Sequence, residues 1–356
     1  MFRSILVSGG AGFVGSNLAL RLRASAPDAA IVALDNLRRR GSEWNLSRLR
    51  DAGVAFVHGD VRIAADLALS DRTFDLVIDA AAEPSVQAAF SHGPGYVVET
   101  NLIGTVNLIE RARRDGAAIV FLSTSRVYPM RALNALAYEE TQSRFVLCKE
   151  QSARGASAEG ITEAFSLDGV RSLYGATKLA AELLLEEYAA MFGLRCVVNR
   201  CGIITGPWQM GKVDQGVFAL WMGRHYFGRP LTYVGYGGTG KQVRDLLHVD
   251  ELCDLVIGQL GALDTLPHRT YNVGGGIGSS LSLLEATRLC EEITGNRVTI
   301  GSAPETHPSD VRIYVTDNTR VTADTGWRPR KSARETLVDI FAWIRANEAV
   351  AASLWS

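Results

Sequence analysis

Three polar side chains near the middle of the chain have the types and the spacing that proton transfer requires. Tyr174 and Lys178 are four residues apart, so on one helix they share a face. A phenol with a pKa of about 10 is a poor base at neutral pH, but a nearby ammonium stabilises the phenolate and lowers that pKa. Thr124 follows an apolar strand pattern, and its hydroxyl can donate to a substrate oxygen. We interpret the three as an acid/base set in which the phenolate takes a hydroxyl proton while a hydride leaves the carbon.

A glycine-rich turn at the start of the chain supports this interpretation, because a Tyr-x-x-x-Lys pair alone also occurs on ordinary helices. Gly9, Gly12 and Gly15 lie between a strand pattern at 3–8 and a helical pattern at 16–24. Glycine lets the backbone approach a pyrophosphate, and the helix N-terminus presents unpaired N–H groups to it. The order of strand, glycines and helix therefore predicts a dinucleotide site, with a ligand-free turn as the alternative.

Asp35 indicates which dinucleotide to expect. It ends the next strand pattern, at 30–34, and lies 20 residues past Gly15. This is the distance expected for a carboxylate that binds the ribose hydroxyls of the adenosine. A carboxylate repels a 2′-phosphate, so Asp35 favours NAD over NADP. The arginines at 38–40 offer the opposite interpretation, to which we give less weight.

The composition is that of an ordinary globular protein. Of the 356 residues, 47% are apolar and 21% are charged, and the net charge is −1. Without a long basic stripe, neither nucleic acid nor a membrane is an expected partner. The cysteines form no C-x-x-C pair and the histidines no H-E-x-x-H motif, so we expect a reducing compartment, no disulfide and no metal. With no signal peptide and no apolar run of membrane-helix length, the expected location is cytoplasmic.

Strand and helix patterns alternate through the first half, which predicts an α/β fold with a Rossmann-type, doubly wound parallel sheet. The expected strands are 3–8, 30–34, 55–58, 76–80, 118–122 and 195–200, and the long helices are 97–114 and 172–192. Ligands bind such sheets beyond the C-terminal strand ends, where Asp35, Asp60 and Thr124 fall. Residues 129–170 lack periodicity and are expected to form a long loop or insertion.

Two lobes are expected. Residues 1–200, with 244–270 returning to them, form the predicted NAD-binding Rossmann domain. Residues 201–243 and 271–350, which are rich in glycine and aromatic residues, form a smaller C-terminal α/β lobe for the substrate.

Further motifs follow in order along almost the whole chain. They are Asp35-Asn36-Leu37, Gly59-Asp60-Val61, Asn101 with Gly104-Thr105, Ser123-Thr124-Ser125-Arg126-Val127-Tyr128, Tyr174-Gly175-Ala176-Thr177-Lys178, Arg200 with Gly206-Pro207, Arg244-Asp245-Leu246-Leu247-His248-Val249-Asp250, Tyr271-Asn272-Val273-Gly274-Gly275 and Ser309-Asp310-Val311-Arg312. With these motifs the chain resembles the extended short-chain dehydrogenase/reductase family, in particular its NAD-dependent nucleotide-sugar epimerases and dehydratases. The resemblance implies bound NAD, a catalytic set of Thr124, Tyr174 and Lys178, and a nucleotide sugar held by the C-terminal lobe.

The resemblance also implies which residues contact each ligand. The cofactor residues are Gly9, Gly12, Phe13, Val14, Asp35, Asn36, Asp60, Val61, Ala80, Ala81, Ala82, Asn101, Tyr174 and Lys178, and the substrate residues are Thr124, Arg200, Arg244 and Arg312. The last two arginines suit a diphosphate, although ion pairs with Asp245 or Asp310 are the alternative. His248 is expected to be structural. For Trp208 and Tyr233 we prefer core packing to lining the base pocket.

A finer resemblance is to one group within the family, the CDP-paratose 2-epimerases, also called CDP-tyvelose epimerases. It rests on Asp35-Asn36-Leu37 with Arg39 and Gly41, Asp214-Gln215-Gly216, the runs 240–245 and 280–285, and the long stretch between Tyr128 and Tyr174. Pro129, Ile203 and Asp79 depart from residues that are frequent in relatives. They leave the cofactor prediction intact and the identity of the sugar nucleotide open.

Four functions are compatible with these motifs. We favour an epimerase that oxidises its sugar transiently and reduces it again on the other face. A UDP-sugar 4-epimerase differs from it in substrate. A 4,6-dehydratase needs an acid pair directly after Thr124, where this chain has Ser125-Arg126. A non-catalytic NAD-binding regulator has no need of the intact catalytic set. Family members commonly pair two long helices per subunit, which implies a homodimer through 97–114 and 172–192.

Overall fold

A computed structural model describes residues 2–69, 72–91, 93–211 and 215–355 of the chain. Asp214, part of the finer sequence pattern, lies outside the described residues. The strands are β1 (Ser4–Ser8), β2 (Ala30–Asp35), β3 (Ala55–His58), β4 (Leu76–Asp79), β5 (Ala118–Thr124), β6 (Tyr138–Glu140), β7 (Phe145–Leu147), β8 (Ala156–Ser157), β9 (Gly160–Ile161), β10 (Cys196–Cys201), β11 (Ile203–Thr205), β12 (Leu231–Val234), β13 (Val243–His248), β14 (Thr270–Val273), β15 (Ser280–Ser282), β16 (Ile300–Ala303) and β17 (Ile313–Tyr314). The helices are α1 (Phe13–Ser25), α2 (Asn45–Asp51), α3 (Ala88–Ser91), α4 (Pro94–Val98), α5 (Gly104–Asp115), α6 (Met130–Asn134), α7 (Leu173–Phe192), α8 (Val217–Tyr226), α9 (Val249–Ala262), α10 (Leu283–Thr294), α11 (Thr319–Thr325), α12 (Ala333–Ala346) and α13 (Glu348–Trp355).

Seven of these strands form one parallel sheet in the order β14-β10-β5-β4-β1-β2-β3. The predicted doubly wound parallel sheet is therefore confirmed, and six of its strands lie within two residues of their expected bounds. Because the strands are parallel, their C-terminal ends meet at one edge. Ser8 pairs there with Leu34 and Asp79, and Thr124 pairs with Cys201.

Helices cover both faces of this sheet, and alternate strand residues enter two apolar cores. On one face α1 packs against α9, and Val7 and Leu18 are buried between sheet and helices. On the other face α5 packs against α7, and Leu6 and Leu185 are buried there. This division follows from the period-two alternation of strand side chains.

The helix expected at 97–114 is longer than predicted and is interrupted. A π-helical turn at Glu99–Ile103 joins α4 to α5. Such turns are frequent at functional sites, because they displace side chains from the regular helical positions. Here the turn contains the buried residues Thr100 and Asn101.

The insertion at 129–170 is structured, which corrects the expectation of a long loop. It contains α6 and two antiparallel hairpins, β6–β7 and β8–β9. Leu133, Phe145, Ile161 and Phe165 are buried in a core that the insertion shares with residues of α7, β13 and the segment 311–315. These elements have two to five residues, too few to show an apolar period in the sequence.

The C-terminal half alternates between the central sheet and smaller sheets. β11, β13, β15 and β17 form one small sheet, and β12 pairs with β16. Trp221, Trp343 and Trp355 are buried in the core beside them. β13 belongs to the small sheet, whereas β14 is the edge strand of the central sheet, so the lobe boundaries stay a prediction. None of the helices in the described part of the chain combines the length and apolar character that crossing a bilayer requires.

Candidate active site

A cleft of ≈ 510 Å³ opens at the edge of the sheet where β1, β2, β3 and β4 end. Ten of the predicted cofactor residues line it, namely Gly9, Gly12, Phe13, Val14, Asp35, Asn36, Val61, Ala80, Ala81 and Ala82. The structure thus brings together residues that are spread over more than seventy positions of the sequence. Their common location fits one elongated ligand that crosses several strand ends.

The glycine turn between β1 and α1 is shaped for close approach of a phosphate. Gly9 has φ +61°, and a Cβ there would lie 2.8 Å from the Ala80 carbonyl oxygen. A Cβ at Gly15 would lie 2.1 Å from the Gly9 carbonyl oxygen, so α1 can begin against the turn only with glycine at this position. Gly12 is the N-cap of α1 and provides no side-chain cap. The first N–H groups of the helix are therefore available to an anion.

The Asp35 carboxylate joins the glycine turn to the following loop. Its Oδ2 accepts from the Ala11 N–H at 3.2 Å and its Oδ1 from the Leu37 N–H at 2.8 Å. Burial raises the pKa of Asp35, and these backbone donors counteract that effect. The carboxylate lies in the cleft wall, at the position expected for recognition of ribose hydroxyls.

The three arginines that follow Asp35 contact other protein groups. The Arg38 guanidinium lies 4.1 Å from the centre of the Tyr96 ring. Arg39 donates to the Met210 carbonyl at 3.2 Å, and Arg40 donates to the Ser353 carbonyl at 3.0 Å. All three arginines also line the cleft, so these contacts do not separate them from Asp35, and Asp35 as the group that selects the cofactor stays a prediction.

Sequence reasoning missed the wall of the cleft opposite the sheet. Trp208, Gln209, Met210 and Leu354 line it, far along the chain from the glycine turn. Arg48 stacks on Trp208 at 4.1 Å. Trp208 packs against the core and the Trp343 ring, as expected, and in addition lines this cleft. Gly206-Pro207 marks a turn in the sequence, but no local signal shows that the next residues face the cofactor cleft.

Two predicted cofactor residues, Asn101 and Asp60, do not line the cleft but hydrogen-bond to the loops that form it. Asn101 accepts from the Glu83 N–H at 2.8 Å and donates to the Glu83 carbonyl at 3.1 Å. Asp60 accepts from Arg62 at 2.7 Å and from Asn36 at 3.0 Å, and the Arg62 hydrogen bond lowers the pKa of Asp60 to about 2. Both side chains fix the loops that form the cleft.

The cleft also contains an unsatisfied polar group. The buried hydroxyl oxygen of Thr100, in the π-helical turn, has no hydrogen-bond partner among the described residues. Thr100 lines the cleft, and a buried hydroxyl without a partner is unfavourable. Together with the glycine turn, this group fits a bound dinucleotide.

The structure brings Thr124 and Tyr174 together. Thr124 is the last residue of β5, Tyr174 lies in the first turn of α7, and the Thr124 side chain lies within hydrogen-bonding reach of the Tyr174 phenol. Ser172 caps α7 by accepting from the Gly175 N–H at 3.2 Å. A Cβ at Gly175 would lie 2.0 Å from the Arg126 carbonyl oxygen, so the helix starts in direct contact with the turn after β5.

The ionisation of Tyr174 differs from the sequence prediction. Burial raises the pKa of Tyr174 to about 12, while the Thr124 hydrogen bond and the charge of Arg126 act to lower it. Lys178 donates to the Leu122 carbonyl at 3.0 Å, and burial lowers the pKa of its ammonium. Desolvation thus outweighs the stabilisation that we expected from Lys178, and Tyr174 is protonated at neutral pH in this structure.

Asp79, which stands where relatives frequently have histidine, is fully buried below this pair. It accepts from the Ser8 hydroxyl at 2.9 Å and from the Thr105 hydroxyl at 2.7 Å. Its charge acts to raise the pKa of Lys178 against the effect of burial. Asp79 therefore stabilises the charged form of the lysine.

Arg200 is not placed at a substrate surface, which corrects its predicted role. Its Nη2 and Nε donate to Glu182 Oε2 at 2.7 Å and 2.9 Å, and both residues are buried. Its Nη1 donates to the Tyr128 hydroxyl at 3.3 Å. We assign Arg200 a structural role between β10 and α7.

The other two predicted substrate arginines lie around one segment, 309–312. Arg244 donates to the Asp310 carboxylate at 3.0 Å, so the ion pair considered as an alternative is formed. The Arg312 guanidinium lies 4.1 Å from the Tyr138 ring and 5.2 Å from the Tyr236 ring. Both arginines are partly exposed. Whether they also meet a diphosphate stays a prediction.

Asp245, His248 and Tyr233 are structural. Asp245 is buried and accepts from the N–H groups of Gly276 and Thr316. His248 accepts from the Asp250 N–H at 3.1 Å and caps α9, as expected. Tyr233 is buried and stacks on Trp221, which confirms its predicted core packing.

The chain belongs to the NAD dependent epimerase/dehydratase family, whose sequence pattern matches residues 5–274. It is 32% identical to a CDP-paratose 2-epimerase of Salmonella typhi over 95% of this chain and 98% of that protein. It is 28% identical to a dTDP-glucose 4,6-dehydratase of Mycolicibacterium smegmatis over 97% and 94% of the two chains. The solved structure of the Thermus thermophilus UDP-glucose 4-epimerase with NAD matches with a TM-score of 0.76 and 28% identity, over 96% and 99% of the two chains. The family predicted from the motifs is therefore confirmed, and the cofactor is NAD.

Replacing Asp35 by Asn is expected to weaken NAD binding by about 10- to 100-fold, since a hydrogen bond to a charged group contributes about 1.5–3 kcal/mol. The loss for NADP should be smaller, because the repulsion of its 2′-phosphate is removed. Titrations with both cofactors measure the two affinities, and Asp51→Asn, at an exposed position, is the control. Unchanged NAD affinity in Asp35→Asn, or mainly NADP released from the denatured wild type, would contradict the assignment.

Replacing Arg200 by Met is expected to lower the free energy of unfolding by about 3–5 kcal/mol, because Glu182 is left buried and unpaired. The double variant Glu182→Gln/Arg200→Met should regain much of this loss, and the Gln oxygen still accepts from the Ser123 hydroxyl. Urea unfolding measures both. If Arg200→Met has unchanged stability and a raised KM for the nucleotide sugar, Arg200 contacts the substrate as the sequence predicted.

Proposed function

We propose that this enzyme is a nucleotide-sugar epimerase that interconverts CDP-paratose and CDP-tyvelose by transient oxidation of the sugar. The observation that carries the proposal is that the end of β5 and the first turn of α7 bring Thr124 and the Tyr174 phenol together, at the edge of the sheet where the NAD cleft opens. The extensive similarity to a CDP-paratose 2-epimerase supports the choice of substrate. The carbon that changes configuration is then C2.

The proposed reaction uses the two hydroxyl groups in turn. Thr124 donates a hydrogen bond to the reacting sugar oxygen, and Tyr174 takes the proton of that hydroxyl as the carbon is oxidised. NAD, held by the glycine turn and Asp35, would supply the hydride acceptor for the oxidation and the hydride donor for the reduction, so none would be consumed. The keto-sugar exposes its other face, and Tyr174 gives the proton back when the carbon is reduced.

The cofactor residues are proposed to act through the groups that line the cleft. The α1 N-terminus and the Gly9–Gly12 turn would hold the pyrophosphate, and Asp35 the adenosine ribose. Lys178 would contact the nicotinamide ribose from its position beside β5. Arg244 and Arg312 would meet the diphosphate of the substrate, since both lie near segment 309–312 and remain partly exposed.

Dehydration is less well supported than epimerisation. Loss of water from the sugar needs an acid that protonates the leaving hydroxyl, and the dehydratase pattern places an acid pair directly after the catalytic threonine. This chain has Ser125-Arg126 there. UDP-sugar 4-epimerisation is the second candidate, because the same Thr124–Tyr174 pair would serve that reaction, and the substrates differ in the base, the sugar and the carbon presented to Tyr174.

The proposed lobes follow the sequence division. Residues 1–200, with 244–270, would bind NAD, and the remainder would bind the nucleotide sugar. Within 244–270, the packing of α9 against α1 supports its return to the cofactor lobe, whereas β13 pairs with β15 and β17, so we propose that Arg244 itself belongs to the substrate lobe.

Tyr174→Phe should lower turnover by about 10²–10⁴-fold while NAD remains bound, because only the proton-transfer group is lost. Thr124→Val should also be severe and Thr124→Ser mild, since the hydroxyl is the required group. Interconversion of CDP-paratose and CDP-tyvelose is assayed first, followed by UDP-glucose and UDP-galactose. Tyr226→Phe, a ring packed on Phe227 and Phe341, is the matched control. Wild-type turnover by Tyr174→Phe would refute this mechanism.

We propose a homodimer formed by the π-turn region, α5 and α7 of two subunits. Ile103 is 44% exposed and Leu183 56% exposed, although both are large apolar residues on helices that pack together. Leu183→Glu should therefore yield monomers at micromolar concentration, whereas Glu187→Gln on the same helix should leave the dimer intact. Light scattering measures the mass, and a monomeric wild type would rule out the dimer.

A further inference from the structure

The backbone of Arg126 contacts both Thr124 and the helix turn that carries Tyr174. It lies in the short 3₁₀ turn Ser125–Val127 that follows β5. Its N–H donates to the Thr124 hydroxyl oxygen at 3.2 Å, and its carbonyl oxygen lies against Gly175 in the first turn of α7. A change in this turn therefore acts on Thr124 and on the start of the helix that carries Tyr174.

The Arg126 side chain is also fixed, and it connects the acid/base pair with the arginines of the substrate lobe. Its Nη1 donates to the Ser309 carbonyl at 3.1 Å. The charged and titratable groups that face it are Arg244, Asp310, Tyr174 and Tyr236. Its guanidinium thus interacts electrostatically with both the Tyr174 phenol and the Arg244–Asp310 ion pair.

Arg126 remains charged in this position. Burial lowers the pKa of Arg126 to about 10, and the like charge of Arg244 acts in the same direction. A pKa of about 10 still keeps the guanidinium protonated at neutral pH. The Lys178 ammonium, by contrast, is held by the Leu122 carbonyl. Arg126 is therefore a second cation that can favour the phenolate, in addition to the lysine expected from the sequence.

We propose that Arg126 is a positioning residue of the reaction, whose fixed positive charge beside Tyr174 and whose backbone contacts with Thr124 and Gly175 hold the pair ready for proton transfer. This inference rests on the proposed acid/base role of Tyr174. It also explains Ser125-Arg126 at the position where dehydratases have an acid pair. The Arg126 guanidinium would stabilise the Tyr174 phenolate, whereas an acid pair would promote the elimination of water.

The expected effect has a definite pH dependence. The phenolate is the proton acceptor, so kcat rises with pH up to the apparent pKa of Tyr174. Removing a neighbouring positive charge raises that pKa, and we expect a shift of about one to two units, because Arg126 is one of several groups that act on the phenol. In Arg126→Gln, kcat at neutral pH should fall by about 10- to 100-fold, and the rising limb of the profile should move to higher pH. Arg126→Lys, which retains the charge, should stay within a few-fold of wild type.

A direct titration separates this inference from the proposed function. The difference in ultraviolet absorbance between each protein and the same protein carrying Tyr174→Phe reports the tyrosinate of Tyr174 without substrate turnover. At each alkaline pH at which the proteins remain folded, the tyrosinate fraction of Tyr174 should be smaller in Arg126→Gln than in wild type and nearly restored in Arg126→Lys. Arg131→Gln, an exposed arginine five residues away, is the control and should leave the titration unchanged.

Two results would overturn the inference. One is an unchanged Tyr174 titration in Arg126→Gln. The other is a fall in kcat of the same size at every pH, accompanied by a raised KM for the nucleotide sugar, which would make Arg126 a substrate ligand. If Arg126→Gln does not fold, Arg126→Met serves as the neutral variant, because it retains the aliphatic stem. Absence of turnover in the wild type with the expected titration shift would reject the proposed substrate and leave the inference standing.

Discussion

The contact between the end of β5 and the first turn of α7 determines where the chemistry of this protein lies. Gly175 lies so close to the Arg126 carbonyl that any side chain there would displace the helix. This contact holds Tyr174 beside Thr124, the residue at which β5 leaves the sheet. The parallel sheet then places the pair at the edge where the NAD cleft opens, because all its strands end there. Backbone packing therefore brings the proposed catalytic group and the proposed cofactor site together.

Burial opposes ionisation at the same place. The interior raises the pKa of Tyr174 to about 12 and lowers that of Lys178, so neither group is held in its charged form by the protein interior itself. Specific partners counteract this effect: Thr124 and Arg126 for the tyrosine, and Asp79 for the lysine. A comparable buried charge at Arg200 is fully paired with Glu182 and has a structural role. Burial alone therefore does not distinguish a structural ion pair from a reactive group. The distinction lies in whether the partners satisfy the charge completely.

The cofactor side was predictable from sequence because its signals are local. Gly9, Gly15 and Asp35 belong to one β-α-β unit, and their spacing reflects its geometry. The substrate-binding residues were harder to predict, because the residues that each arginine contacts are distant from it in the sequence. Glu182 makes Arg200 structural, and aromatic rings from the insertion surround Arg312. The insertion itself was taken for a loop because its strands and helix are too short for a hydrophobic period. Trp208 lines the cleft because the fold brings it close to the glycine turn, and no sequence motif predicts this proximity.

The central claim is that the sugar is oxidised and reduced at one carbon, with Tyr174 as the proton carrier and the hydride returned inside the site. The most direct measurement uses CDP-paratose labelled with deuterium at C2 and follows the product by mass spectrometry and NMR. The account predicts that CDP-tyvelose retains the deuterium at C2 in ordinary water, and that unlabelled substrate gains none there in D₂O. Exchange of this hydrogen with solvent during turnover would show that the carbon is deprotonated instead, and would contradict the account.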